Sequence, residues 1–236
     1  MNFNKIKTIC KKEMKETLRN KMYLASFVFN FILVIAILIM MFRSLPSEGI
    51  KLVGNIMIIV LPSFAMVIIS LTIIQEKFWN DKISFKLENM LTLPISIKEI
   101  WLGKILSIIG LSYPYSVFLS MLLTVIFTLN VQGSPSLTNI FLSIVVLPSG
   151  IILFNVVSSY MALRFKSQHV LTLVFYLVIG LFTLSFYKLK DITTTIINSN
   201  INISMIAVAV LIAIVVIMSI FMFLISQLDI EKTIEL

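Results

Sequence analysis

Side chains that catalyse reactions or bind metals are scarce in this sequence of 236 residues. Its only cysteine is Cys10 and its only histidine is His169, and they stand far apart along the chain. Nucleophilic catalysis needs a nucleophile beside a base, and a catalytic zinc needs three protein ligands. Because neither pattern is found, we predict no catalytic residue and no metal site. We interpret His169 as an ordinary loop residue.

The pair Gly103–Lys104 is the nearest approach to a nucleotide-binding motif. A Walker A loop has a glycine five positions before the glycine of its Gly-Lys pair, and Ser or Thr directly after the pair. Here Lys98 and Ile105 occupy those two positions. The chain is therefore not expected to bind ATP or another cofactor by itself.

Most of the sequence is hydrophobic, with 59% apolar residues, 13% charged residues and a mean hydropathy of +1.05. A soluble domain of this length could not bury so much apolar surface. Apolar runs of about 18 or more residues are typical of transmembrane helices. Six runs reach or approach this length, at residues 22–42, 53–74, 105–129, 139–163, 171–187 and 205–228. We predict an all-α membrane protein with one domain, residues 1–236, and six transmembrane helices.

The distribution of basic residues predicts how these helices are oriented. With a cytoplasmic N-terminus, the inner segments are 1–21, 75–104, 164–170 and 229–236. They hold 15 of the 19 Lys and Arg residues, as the positive-inside rule requires. We therefore predict that both termini are cytoplasmic. The net charge of +8 then reflects topology, and no nucleic-acid partner is expected. The outer loops are expected at 43–52, 130–138 and 188–204.

None of the six apolar runs contains a charged residue or a histidine. Carriers driven by protons or sodium usually keep carboxylates inside the membrane, where a charge is costly and is retained for function. Two runs carry weakly polar stripes instead. The stripe on the second run consists of Asn55, Ser63, Met66 and Ser70, and that on the fifth of Thr172, Tyr176, Gly180, Thr183 and Tyr187. Such stripes line a translocation path or mediate helix packing, and the sequence leaves both interpretations open.

Residues 1–21 have the pattern of an amphipathic helix. At 100° per residue, one arc holds the apolar Phe3, Ile6, Ile9, Cys10, Met14 and Leu18. The other arc holds most of the charged residues, among them Lys11, Lys12, Lys15 and Arg19. The pattern predicts an interfacial helix that lies in the headgroup region before the first span. The simpler alternative is a basic flank that only sets the topology.

The segment 75–104 is too polar to cross a bilayer and too long to be a bare turn. Its stretch FKLENMLTL favours a short helix, which Pro94 ends. Ser96 and Glu99 then form a capping-box pattern at the start of a second helix. This helix is expected to run through Trp101, placed at the membrane interface, into the third span.

The run EKFWNDKISFKLENMLTLPISIKEIWLGK, residues 76–104, resembles the signature of ABC-2 type transporter permeases. The shared features are an acidic–basic pair that ends the second span, Glu88 followed by Met90 and Leu91, the triplet Pro94–Ser96, and Gly103–Lys104. The six-span layout and the basic N-terminal helix extend the resemblance over the whole chain. One feature differs. The family usually has Gly-Thr before the glutamate, and Ser84–Phe85 near that place lacks the glycine.

The resemblance implies that this segment is a cytoplasmic coupling helix between spans two and three. It would dock onto a separate nucleotide-binding ATPase subunit, which would hold ATP and Mg²⁺. The residues implied in this contact are Phe85, Lys86, Leu87, Glu88, Asn89, Met90, Leu91 and Pro94. The N-terminal helix would press on the same subunit, and a second permease copy would complete a homodimer in a prokaryotic plasma membrane.

The apolar and weakly polar lining expected for the path suits an amphipathic or hydrophobic cargo. Small permeases of this kind resemble exporters, so we expect export of amphipathic peptides of the bacteriocin or peptide-toxin type, or of hydrophobic drugs. Two alternatives remain open. The chain could export lipid-linked material or a small ion, or it could be a non-transporting immunity or scaffold subunit that sequesters a peptide.

The incomplete Walker A pattern leads to a first prediction. The purified chain is expected to hydrolyse no ATP by itself, because Lys98 and Ile105 remove the glycine and the hydroxyl that a phosphate-binding loop needs. The measurement is phosphate release by the chain alone, free of contaminating ATPases. Turnover at about 1 per second or faster, in the ordinary range of enzymes, would show that the chain has a nucleotide site of its own.

Overall fold

The computed structural model describes residues 2–44, 47–92, 94–130 and 137–164, together with Tyr176 and Gly180. Every regular element within these ranges is a helix. In chain order they are α1 (Phe3–Arg19), α2 (Lys21–Ser44), α3 (Ser47–Ile74), a π-helical stretch (Gln75–Asn80), α4 (Asp81–Ile83), α5 (Lys86–Leu91), α6 (Ile97–Asn130), α7 (Leu137–Phe141), a second π-helical stretch (Leu142–Val146) and α8 (Leu147–Arg164). The all-α prediction is confirmed for this part of the chain.

Four of the helical stretches are long and apolar enough to cross a membrane. They are Lys21–Met40, Ile56–Ile83, Ile97–Leu129 and Leu137–Leu163. These four coincide with the first four predicted spans and indicate a membrane protein. The predicted spans 171–187 and 205–228, the loop 188–204 and the C-terminus lie outside the described residues, apart from Tyr176 and Gly180. Six spans and their orientation therefore stay predictions.

Two helical stretches extend past the boundaries of the predicted spans. The outer loop expected at 43–52 is mostly helical in its described residues, since α2 continues to Ser44 and α3 begins at Ser47. In the inner segment expected from residue 75, the helix of the second span continues to Ile83. Both extensions have one cause. Hydropathy marks where a helix leaves the apolar part of the membrane, whereas its backbone hydrogen bonds continue through polar residues.

Helices α3 and α6 form a long antiparallel hairpin. Gly54 of α3 lies against the Phe127 ring of α6, and farther along the pair Lys104 Nζ donates a hydrogen bond to the Lys77 carbonyl at 2.6 Å. Helix α6 has 34 residues, so at 1.5 Å per residue it is about 51 Å long. The hydrocarbon core of a bilayer is only ~30 Å thick. The hairpin therefore extends beyond the membrane, and the charged residues of 75–104 lie at its connected end.

Helix α1 runs parallel to the first third of α6. The Asn2 backbone N–H donates to Glu99 Oε1 at 2.6 Å, Ile9 packs on Gly103, and Met14 lies beside Gly110. The predicted helix is thus confirmed, but its apolar arc is divided. Its buried face is formed by Ile6, Ile9, Glu13 and Thr17, whereas Phe3 and Leu18 are exposed. A position of α1 in the headgroup region stays a prediction.

The predicted order of helix, stop and capped helix is confirmed between α5 and α6. The Ser96 N–H donates to Glu99 Oε2 at 3.1 Å, and the Glu99 N–H donates to Ser96 Oγ at 3.3 Å. These are the two reciprocal bonds of a capping box. They start α6 at Ile97, directly after the irregular Pro94–Ser96 stretch.

The Trp101 side chain, expected at the membrane interface, is instead buried in the protein and only 1% exposed. It shares one face of α6 with Ile97, Ile100 and Ile108, which are also buried. Helical spacing places these four side chains together. The tryptophan belongs to the inner face of α6 because tertiary packing covers that face.

Two glycines of α6 give a second prediction. A Cβ at Gly103 would lie 2.6 Å from Ile9 Cγ2 and 3.2 Å from the Ile6 carbonyl, whereas one at Gly110 would meet only the flexible Met14 side chain at 3.3 Å. Gly103→Ala is expected to push α1 away and destabilise the protein by about 1–3 kcal/mol. Gly110→Ala is expected to be neutral or stabilising, because alanine favours the helix by ~1 kcal/mol. Thermal unfolding in detergent checks this, and equal effects would contradict close packing of α1 on α6.

Candidate functional site

Six charged side chains form a closed ring in which cations and anions alternate. Each is within 4.0 Å of two neighbours of opposite charge, so that three lysines and three carboxylates balance. Going round this ionic ring, the members are Glu13, Lys77, Glu16, Lys86, Asp81 and Lys104. They come from α1, the first π-helical stretch, α4, α5 and α6. The ring therefore ties α1, the first π-helical stretch, α4, α5 and α6 together at the connected end of the hairpin.

The inner part of the ionic ring is buried. Lys104 is 0% exposed, and its ammonium donates to the Lys77 carbonyl, pairs with the Asp81 carboxylate and lies 3.7 Å from Glu13 Oε1. The buried Lys77 Nζ lies 3.1 Å from Glu13 Oε2. A charge removed from water is tolerated only when it is paired and hydrogen-bonded. These partners hold α1, α4 and α6 in one fixed arrangement.

The outer part of the ionic ring faces water. Lys86 Nζ lies 3.7 Å from Glu16 Oε1 and 3.7 Å from Asp81 Oδ1, and the Lys86 side chain is 60% exposed. Ion pairs in water contribute little, about 0–1 kcal/mol each. Lys86 is the first residue of α5. Lys86 therefore joins the short helix to the ring through the weakest ion pairs of the ring, and these pairs can separate at little cost in free energy.

Further contacts fasten the same region to α1. Lys5 Nζ donates to the Pro94 carbonyl, and the side-chain amide of Asn20 donates to Glu76 Oε1. Beneath α5, Leu87 is buried and Met90 packs against the hydrophobic core. The short helix thus has an anchored side and a free side.

The backbone just before α5 has an unusual conformation. Phe85 has φ = 56°, in the left-handed region, and is the one non-glycine residue with positive φ in the described part of the chain. Its side chain is 63% exposed. Glycine adopts this conformation without strain, but a side chain with a Cβ does not. Phe85 therefore holds a strained backbone conformation at an exposed position.

The remaining residues implied in the coupling contact are divided between described and undescribed positions. Asn89 and Pro94 are exposed, as are Phe85 and Lys86. The side chains of Glu88 and Leu91 lie outside the described part. The basic residues assigned to α1, Lys11, Lys12, Lys15 and Arg19, are all exposed. These placements suit a contact surface, and the contact itself stays a prediction.

The stripe predicted on the second span lies partly inside the protein. Met66 and Ser70 are fully buried, and Ser70 Oγ donates to the Met66 carbonyl at 2.8 Å. Ser63 is half-buried and donates to the Ile59 carbonyl at 2.9 Å. This arrangement is typical of helix packing within one chain. The side chain of Asn55 lies outside the described part, and the role in a path stays a prediction.

On the predicted fifth span, only two members of the stripe are described. Tyr176 is exposed, and a Cβ added at Gly180 would meet no heavy atom of the described residues within 4 Å. Thr172, Thr183, Tyr187 and the nearby His169 lie outside the described residues. In the described part of the chain there is no group of three or more His, Cys, Asp and Glu residues placed to hold a metal ion.

Sequence reasoning missed most of the ionic ring. In the sequence, Lys77 and Lys104 contribute to the predicted topology and to the family resemblance but not to a predicted ion-pair network, and Glu13 has no predicted role. A signal was present, since Glu13 stands four residues after Ile9 and seven after Ile6, on the face that α1 buries. A charge at such a position needs a partner. Which partners it has depends on helices that are 60 to 90 residues away in sequence.

The chain matches no family model, no curated protein and no solved structure with which it was compared.

The difference between the two sides of the ionic ring gives a third prediction. Lys104→Met leaves Asp81 with only the solvated Lys86 as its partner and leaves Glu13 with Lys77 alone. It is expected to lower the free energy of unfolding by about 3–5 kcal/mol. Lys86→Gln removes a solvated partner and is expected to cost ~1 kcal/mol or less. Denaturant or thermal unfolding of the purified variants measures both.

A rescue variant separates charge from packing at this site. Adding Asp81→Asn to Lys104→Met removes the carboxylate that has lost its buried partner, and this is expected to restore part of the lost stability. If Lys104→Met were as mild as Lys86→Gln, the ring would not hold these helices together.

Proposed function

We propose that this chain is the membrane-spanning permease subunit of an ATP-driven exporter and works with a separate nucleotide-binding subunit. The observation that carries the proposal is the connected end of the α3–α6 hairpin. There a short helix, α5, presents an exposed surface while the ionic ring ties its base to α1 and α6. Both hairpin helices contain stretches long enough to cross a membrane.

The surface around α5 suits a protein partner. Ile83 and Phe85 expose large apolar side chains next to the cation Lys86. Polar residues surround them, and the hairpin extends beyond the thickness of the hydrocarbon core, so lipid does not account for their exposure. Strained backbone conformations such as that of Phe85 are retained mainly at functional positions. An exposed aromatic anchor beside a charge is typical of a binding hot spot.

The proposed mechanism follows from how α5 is held. A nucleotide-binding subunit that moves during ATP hydrolysis pulls on the free side of α5. Leu87 and Met90 on its anchored side, and the buried ion pairs behind them, pass this displacement to α6 and to the end of α3. Because the buried pairs are costly to separate, the group moves as one body. The helices that cross the membrane then shift relative to a second permease copy.

The cargo, the assembly and the location are part of the same proposal. Spans without charged residues suit amphipathic peptides of the bacteriocin or toxin type, or hydrophobic drugs, rather than ions. Two copies of the chain would form the path in a prokaryotic plasma membrane. The partner subunit would bind ATP and Mg²⁺, since the Gly103–Lys104 sequence is not a phosphate-binding loop.

The exposed Phe85 provides the fourth prediction. Phe85→Asn removes the aromatic anchor, and asparagine tolerates a left-handed backbone better than phenylalanine does, so the fold is expected to be kept. Loss of a hot-spot aromatic costs about 2 kcal/mol or more, which weakens partner binding roughly 30-fold. The measurement is the nucleotide-binding subunit and the ATPase activity that co-purify with the chain from its native membrane.

The control is Leu129→Asn, the same kind of change on an exposed side chain near the other end of α6. It is expected to leave both the co-purified subunit and the activity at the level of the unchanged protein. If the unchanged protein co-purified with no ATPase, or if Phe85→Asn retained it in full, the proposed coupling surface would be refuted.

A further inference from the structure

An apolar cleft lies where α1 meets α2. One wall is formed by the end of α1 and the start of α2, with Leu18, Leu24 and Phe27. The other wall belongs to α6, with Pro114, Tyr115 and Phe118. The cleft opens at the point where the charged helix α1 gives way to the spanning stretch that begins at Lys21. On the α2 side, polar sequence here gives way to apolar sequence, as it does where headgroups meet acyl chains in a bilayer.

A basic groove on α1 continues from this cleft. Lys7, Lys11, Lys15 and Arg19 follow one another at intervals of four residues, next to Cys10 and Met14, and Leu18 lines both the groove and the cleft. Residues four apart lie on the same side of a helix. Among the described residues, none of the four cations has a carboxylate oxygen within 4.0 Å. The groove therefore carries positive charge that no carboxylate neutralises, and it lies beside the apolar cleft.

Tyr115 gives the cleft a buried polar group. Its side chain is only 4% exposed, and its hydroxyl has no hydrogen-bond partner in the described part of the chain. The ring is held in place by Phe27, with the two centroids 4.3 Å apart. A buried hydroxyl without a partner is costly, and such groups usually meet water or a ligand. An oxygen acceptor within the cleft would satisfy it.

We propose that this site binds one glycerophospholipid with an anionic headgroup. The phosphate pairs with Lys15 and Arg19, an acyl chain occupies the cleft between Phe27 and Phe118, and the Tyr115 hydroxyl donates to an ester carbonyl of the lipid. The positive charge of the groove is complementary to the phosphate. The apolar cleft that adjoins the groove is suited to an acyl chain attached to that phosphate. Among the described residues, the site is formed by α1, α2 and α6, and it does not depend on the proposed transport function.

The opposite face of α1 connects this site with the ionic ring. The basic groove lies on the outer side of the helix whose inner side supplies Glu13 to the ionic ring. A lipid bound across α1, α2 and α6 would hold α1 against α6 from outside, while the ring holds it from inside. Removal of anionic lipid is therefore expected to loosen α1 first.

Native mass spectrometry of the full chain in mild detergent tests the proposal, with phosphatidylglycerol and phosphatidylcholine as probes. One phosphatidylglycerol is expected to bind, and phosphatidylcholine at least tenfold more weakly. Each basic residue near a lipid surface is worth about a fivefold factor, so Lys15→Gln with Arg19→Gln is expected to weaken phosphatidylglycerol binding about 25-fold. Tyr115→Phe is expected to weaken both lipids about fivefold, the value of one hydrogen bond.

The control is Lys12→Gln, which removes one positive charge, half of what the double variant removes, from the exposed surface of α1 outside the groove. A general effect of charge would weaken binding about fivefold. Lys12→Gln is expected to leave phosphatidylglycerol binding within twofold of the unchanged chain. Equal binding of the two lipids would show an unspecific apolar cleft and overturn the proposal. The proposal would also be overturned if Lys12→Gln weakened binding as much as the double variant does, or if glycerol phosphate bound as tightly as phosphatidylglycerol. A mass that corresponds to a dimer of the chain without lipid would overturn it as well.

Discussion

The buried ammonium of Lys104 has to be neutralised by carboxylates from two other parts of the chain, Glu13 and Asp81. Because an unpaired charge at this depth would cost several kcal/mol, α1, α4 and α6 cannot separate independently. The close contact of Ile9 with Gly103 follows from the same arrangement, as does the Lys77 carbonyl that accepts a bond from Lys104. The rest of the described fold is built around this point.

Because of this constraint, the connected end of the hairpin has two parts, a rigid base and a surface whose own contacts are weak. The base consists of buried pairs with little access to water, whereas Lys86 links α5 to them through solvated contacts. The exposed Phe85 beside it is held in a left-handed backbone conformation that is unfavourable for a residue with a side chain. A surface of this kind can release its weak contacts when a partner binds, while the base passes the displacement on. That combination supports the proposed coupling to an ATPase.

Helix α1 has a different role on each of its two sides. Its inner side gives Glu13 to the buried pairs, and its outer side keeps Lys15 and Arg19 exposed next to the cleft of Tyr115. The amphipathic pattern of such a helix therefore has two sources. Apolar residues pack on α6 at one side, and a mixture of apolar and basic residues remains available to a membrane at the other.

The sequence by itself determined the first four spanning helices, the capping box at Ser96 and the helical nature of α1, because each depends on near neighbours along the chain. It also located the polar segment that carries α5. It could not show that the helix of the second span continues to Ile83, that Trp101 is buried, or that Glu13 contacts Lys77 and Lys104. These features depend on which helices pack together, and burial then decides whether a charge is a solvated side chain or part of the structural centre. Local spacing does not contain that information, and only the tertiary structure supplies it.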